Sequence, residues 1–163
     1  MIGNNIHPAM VLAELVMQVR QGTLQLLDAT HSSHLTWSPP GTSNHILWHA
    51  GHALWLQDIL TLQPLSGRCE LPPGWETMFG QGSHPAHITH WPAKSHVRNL
   101  LAAQRDRIVG MLSEKAELIA TQAEIVSPHT RWPLVPGILH ACHDEARHQG
   151  EMYLLYKLQK APT

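Results

Sequence analysis

Residues 140–158, His-Ala-Cys-His-Asp-Glu-Ala-Arg-His-Gln-Gly-Glu-Met-Tyr-Leu-Leu-Tyr-Lys-Leu, carry the densest set of side chains in the chain that could do chemistry. On a helix, His140, Asp144 and His148 fall at successive steps of four, and Glu151 follows three residues later. Positions i and i+4 lie about 40° apart around a helix axis, so these side chains share one stripe. Imidazole and carboxylate groups pointing into a helical bundle are what a divalent metal needs. One helix rarely completes such a site. A second source lies at residues 45–52, where His45, His49 and His52 recur at steps of four and three within one narrow sector.

The best triple is His52 with Asp144 and His148. Two imidazoles and a carboxylate suit Zn, Ni, Mn or Fe(II) and leave positions open for water or substrate. That is the makeup of a catalytic site rather than a closed structural one. An ion there would make a bound water more acidic or hold a thiolate as nucleophile. Burying these groups without an ion would be costly. His49, one turn before His52, is a candidate fourth ligand or proton carrier. Glu151 and His140 are candidates to orient the ligands from behind. An Asp-x-x-x-His pair alone occurs on many helices by chance; the His-rich face on a second helix gives it weight. Arg147 projects about a quarter-turn from His148, where a surface salt bridge competes with binding of an anionic substrate group. Trp48, Trp55 and Trp75 either wall an apolar pocket or pack as ordinary core.

The elements that must position these residues read as four helices. Residues 8–28 form the first, with Pro8 at its opening position. Its apolar stripe is Leu12, Leu15, Val16, Val19, Leu26 and Leu27, and Gly22 weakens its middle. Ser43 is the expected N-cap of the second, which runs to about Leu60. Gly51, beside His52, lets another backbone or a ligand come close. Residues 61–91 are dense in Pro, Gly, Trp and His and show no helical period. A loop this long is uncommon in a compact domain unless it is functional. Trp75 and Phe79 are expected to pin it to the bundle. His84, His87 and His90 fall three apart, but Pro85 prevents a regular helix, so they read as loop residues at a site mouth.

Trp91-Pro92 opens the third helix, to about Ser113, with Arg98, Arg105, Asp106 and Arg107 on its wet side. Residues 114–126 either extend it or form a separate short turn. Pro133 or Pro136 starts the fourth, which runs to about Lys157. There is no strand alternation, internal repeat or low-complexity tract. The expected fold is an all-α four-helix bundle with a long crossover loop between helices 2 and 3.

The chain has 163 residues, expected to form a single domain over 1–163. Charged residues are only 14%, where roughly a quarter is usual. The net charge of −1 gives no basic face, which argues against a nucleic-acid partner. No apolar run reaches the roughly 18 residues that a membrane span needs. The N-terminus lacks the pattern of a secretory signal. Cys69, in a loop, and Cys142, on a helix, are the two cysteines; a bridge between them stays open, and a reduced, cytoplasmic setting is the default expectation.

The motifs Trp48-His49-Ala50-Gly51-His52 and Glu145-Ala146-Arg147-His148-Gln149-Gly150, with the order of elements along the whole chain, resemble the DinB/YfiT-like superfamily of metalloenzymes. The resemblance implies an up-up-down-down bundle, often a homodimer. It implies a metal held by one His on the second helix and by a His-x-x-x-His or Glu-x-x-x-His pair on the fourth. Carried over by position, His52 matches the first ligand and His148 the last, while Asp144 departs from the commoner His of the middle slot. His143 lies one residue off that slot, and an i to i+5 pair points about 140° apart, so Asp144 is preferred.

Some branches of the family resemble transferases that use low-molecular-weight thiols such as mycothiol or bacillithiol. The leading expectation is therefore a metal-dependent enzyme on a small-molecule substrate, transferring or adding a thiol, or else hydrolysing. Two other readings compete. One is a non-catalytic bundle whose ion braces helices or senses supply. The other is a helical homodimer that has lost its metal and uses His for packing.

Overall fold

The computed structural model describes residues 7–121 and 125–160. Within them lie α1 (Pro8–Ala29), α2 (Ile46–Gln57), a π-helical turn (Asp58–Leu62), α3 (Gln63–Ser66), α4 (Trp75–Phe79), α5 (Lys94–Glu114), α6 (Ala116–Ala120) and α7 (Leu134–Gln159). The only extended pairing among the described residues is an isolated bridge between Val126 and Pro133. The protein is all-helical, as the periodicity predicts. No helix among the described residues is long and apolar enough to cross a membrane.

Helix α1 starts at Pro8 and α7 follows Pro133, both where the missing N–H costs nothing. Helix α2 differs from expectation at both ends. It begins at Ile46, not after Ser43, because the His45 ring is the cap: its Nδ1 accepts a hydrogen bond from the Trp48 amide at 3.1 Å. At the other end the rod continues past Leu60. It widens into the π-helical turn, where the Gln63 amide reaches back to the Asp58 carbonyl, and closes at Gly67, with φ 80°. Pro64, one residue later, has no N–H to give to the turn before it. Helix α5 starts at Lys94, just after Pro92. Of the 114–126 stretch, Ala116–Ala120 is a separate short helix, α6, and 122–124 lie outside the described residues.

Two buried clusters fix the course of the long helices. One joins Leu24 and Leu27 of α1, Ile46 and Leu47 of α2, Val97 of α5, and Met152 and Leu155 of α7. The other joins Ala9 and Leu12 of α1, Leu62 and Leu65 beyond α2, Ile108 and Leu112 of α5, and Leu134 and Ile138 of α7. Thus α2 and α5 both begin where α1 ends, and α7 runs parallel to α1. The order is up-down-down-up, which corrects the up-up-down-down course expected from the resemblance. Parallel α2 and α5 require a connection running the length of the molecule, and residues 67–93 supply it. Trp75 and Phe79 of α4 are buried in this connection, and the Trp75 indole donates to the Gly51 carbonyl at 3.1 Å.

A buried ion pair ties three helices together. Arg20 of α1 donates through Nε and Nη2 to Glu145 of α7 at 2.8 and 3.0 Å. Its Nη1 reaches the Leu101 carbonyl and Gln104 Oε1 of α5, both at 3.1 Å. The Thr23 hydroxyl adds a bond to Glu145 Oε1 at 2.7 Å. Every charge in the cluster is paired, the condition for tolerating ions in a core. Because Glu145 neighbours Asp144, the same cluster fixes the turn of α7 that faces α2.

Candidate metal centre

His49 and His52 leave α2 toward α7, and Asp144 and His148 leave α7 toward α2. The structure brings His52, Asp144 and His148 together. Asp144 Oδ2 lies 3.5 Å from His52 Nε2 and 3.2 Å from His148 Nε2. Ligand atoms at 2.0–2.2 Å from a tetrahedral ion stand about 3.3–3.5 Å from one another, so the spacing fits. Residue exposure is 7% for His52 and Asp144 and 6% for His148.

The second nitrogen of each ring is engaged elsewhere. His52 Nδ1 sits 2.7 Å from the Phe79 carbonyl. A carbonyl can only accept, so Nδ1 carries the proton and Nε2 presents a lone pair to Asp144. His148 Nδ1 lies 2.8 Å from His49 Nδ1, which leaves Nε2 as the inward nitrogen. Burial works to raise the Asp144 carboxyl; the His148 and His52 rings, when protonated and donating to it, outweigh burial and hold it well below the usual carboxylate range, whereas neutral rings leave it facing two lone pairs. Asp144 Oδ1 accepts from Arg147 Nη2 at 2.5 Å, while Oδ2 is buried with no hydrogen-bond partner. Three electron-pair donors thus face one another at ligand spacing. A cation is the group that such a set accepts, so the residues present fit a divalent ion.

Not all of the expected site residues join this set. His49 is buried, with burial first and the neighbouring His148 second in lowering its pKa to about 3. Its rings of contact lie on the outer edge of His148, away from Asp144: Nδ1 to His148 and Nε2 to Glu151 Oε2 at 3.3 Å. The 2.8 Å contact is too short for two nitrogens sharing one ion and right for a hydrogen bond. Glu151 is 48% exposed at its side chain and reaches the rim of the site. His140 is a correction. It is exposed and packs on Trp132, with ring centroids 4.6 Å apart, rather than backing a ligand. The i+4 stripe drifts by about 40° per step, so residue 140 has rotated away from α2.

Trp48 stacks on the His52 ring with centroids 4.9 Å apart and interplanar angle 21°, and its Nε1 donates to Ser83 Oγ at 2.9 Å. Trp55 also packs on that ring, tilted by 39° with centroids 5.3 Å apart. Trp55 and Trp75 also line a separate cavity of ≈ 230 Å³ with Cys69, Asp58 and His129. His84, His87 and His90 are exposed. Cys69 and Cys142 are both free, one exposed and one buried, and neither belongs to the site.

Residues 16–152 match the sequence model of the DinB superfamily. The chain belongs to the DinB superfamily. No curated protein matches it alongside that model. The DinB match runs from within α1 to within α7, and so covers α2 and the part of α7 that bears Asp144, His148 and Glu151.

Sequence reasoning missed two groups that shape this DinB site. The Arg20–Glu145 pair had a signal: Arg20 falls on the buried stripe of Leu12, Val16, Leu24 and Leu27, where a solvated charge does not belong. The Phe79 carbonyl had none, because backbone carbonyls carry no sequence mark.

Proposed function

We propose that this DinB-superfamily protein is a divalent-metal-dependent enzyme acting on a small molecule, with His52, Asp144 and His148 holding the ion. The observation that carries the reading is the orphaned Asp144 Oδ2, buried between two imidazole lone pairs. Zn, Ni, Mn and Fe(II) all accept two imidazoles and a carboxylate. When bound, the ion supplies Lewis acidity, which makes a water or thiol more acidic at neutral pH.

The chain's own residues supply the rest. Trp48 and Trp55 both pack on the His52 ring and shield it from water. Arg147, 61% exposed, holds Asp144 Oδ1 and keeps donors free toward solvent, where an anionic substrate group can meet them. His49 and Glu151 are the proton-holding pair beside the ligands. Neither cysteine reaches the site, so a thiol reaction would draw on a separate low-molecular-weight thiol. Transfer of such a thiol to a small electrophile is the preferred reaction, with hydrolysis the other. The wider reading is a four-helix bundle of the DinB type acting as a cytoplasmic homodimer, without nucleic acid or membrane. Val135, Leu139, Leu154 and Leu158, exposed along α7, support a pairing of two copies.

The second reading is a bundle in which the ion only braces α2 against α7. The near-complete burial of the three ligands favours it. One experiment addresses both. Protein made without a His tag or nickel column is assayed for metal by elemental analysis, then screened with thiols and small electrophiles. One ion per chain, lost in His52→Ala, with thiol-dependent turnover, is the expected result. Stoichiometric metal without turnover in any pairing favours the bracing role. No stoichiometric metal, with His52→Ala unchanged in stability, overturns the site.

A further inference from the structure

We propose that Glu151 and His49 form a chain of polar contacts that sets the tautomer of His148 and thereby aims its Nε2 lone pair at the ion. His49 is then a positioning residue and not a fourth ligand. The inference rests on the metal reading above but uses different atoms. Glu151 Oε2 is 3.3 Å from His49 Nε2, and His49 Nδ1 is 2.8 Å from His148 Nδ1. Glu151 Oε2 is farther from His148 Nδ1, at 3.7 Å, so the carboxylate's partner is His49.

With an ion on His148 Nε2, proton bookkeeping leaves one arrangement. A carboxylate only accepts, so His49 Nε2 carries a proton toward Glu151. A neutral imidazole has one proton, so His49 Nδ1 is an acceptor. The proton in the 2.8 Å contact must belong to His148 Nδ1. That leaves its Nε2, 3.2 Å from Asp144 Oδ2, as the nitrogen for the ion. The Phe79 carbonyl does for His52 in one step what Glu151 and His49 do for His148 in two. Both ligand rings are locked from behind, one by backbone and one by a side-chain chain ending at the protein surface. Partners of this kind orient the ring and raise its basicity. The surface end matters. Glu151 is the only member of the chain that solvent or substrate can reach directly, so the chain links the site mouth to a ligand nitrogen.

The test uses the full chain and two readouts. The first is the tautomer of His49 in the zinc-loaded, 15N-labelled protein, read from two-bond nitrogen–proton correlations. The expected result is a proton on Nε2, toward Glu151, and a bare Nδ1 facing His148. The second is zinc affinity by chelator competition. His49→Leu should weaken it about 10–100-fold, the range for loss of such a partner. His49→Gln keeps a carbonyl for His148 and an amide for Glu151, and should recover most of the loss. Glu151→Ala, at an exposed position, tests the chain without disturbing the core and should weaken zinc toward the lower end of that range. A zinc-loaded parent with His49 protonated on Nδ1, unchanged zinc affinity in His49→Leu, or equal losses in the Leu and Gln variants would each overturn the proposal. If instead His52→Ala and His148→Ala leave zinc binding intact, it is the metal reading that fails.

Discussion

The Phe79 ring packs so closely on Gly51 that a β-carbon at residue 51 would stand 2.2 Å from it. That contact seats the end of α4 over α2 and delivers the Phe79 carbonyl to His52 Nδ1. The crossover segment therefore does more than return the chain to the start of α5. It supplies the group that turns the His52 ring.

Gly51→Ala should displace the ring at a cost of about 1–3 kcal/mol, the usual penalty for overpacking a core. Because His52 would lose its backbone partner, zinc affinity should fall as well. Urea unfolding and chelator competition measure the two effects. Wild-type values in both would mean that α4 does not hold the ligand.

Zinc should stabilise the parent protein against unfolding. At a free concentration of about 100 times Kd the gain is about 2.7 kcal/mol, since the unfolded chain has no preformed site. Asp144→Asn keeps the shape of the side chain but removes the charge that faces two lone pairs, so most of the gain should disappear. Thermal melts with and without zinc make the comparison. An equal shift in parent and variant would place the ion elsewhere.

Removing one partner of the Arg20–Glu145 pair strands a buried charge. Arg20→Met or Glu145→Leu alone should cost about 3–5 kcal/mol, whereas the double variant should recover most of that loss. Urea titration of the four proteins gives the coupling. Simple additivity would show that the ions do not depend on each other.

His45 gives a pH dependence independent of the ion. Burial lowers its pKa from 6.5 to about 4, against the opposing effect of the Leu35 backbone. Between those values the unfolded chain binds a proton that the folded chain refuses, so stability rises with pH. The contribution is complete above about pH 6.5 and is lost as pH falls toward 4; a shift of this size corresponds to roughly 3 kcal/mol. His45→Asn keeps a side-chain acceptor for the Trp48 amide but does not titrate. In metal-free protein the stability–pH slope over this window should drop by about one proton. An unchanged slope would assign the acid sensitivity to other groups.

The sequence alone determined what is local. Helical period is set by i, i+3 and i+4 neighbours, so the long helices and the faces bearing His52, Asp144 and His148 could be read without coordinates. Buried imidazoles and a carboxylate need compensation wherever they are placed, so the need for a compensating group was legible too. Tertiary structure decided the rest, because each remaining feature depends on an atom from another part of the chain. Period says nothing of direction, so only the packing of Leu62 and Leu65 against the start of α1 showed the up-down-down-up course. His140 and Asp144 share a stripe, yet only the packing showed that α2 covers one and leaves the other beside Trp132. His49 reads from its spacing as a fourth ligand or a proton carrier. Which nitrogen faces which neighbour is a matter of ring orientation, fixed by contacts 99 residues apart in the chain, and that placed it behind His148.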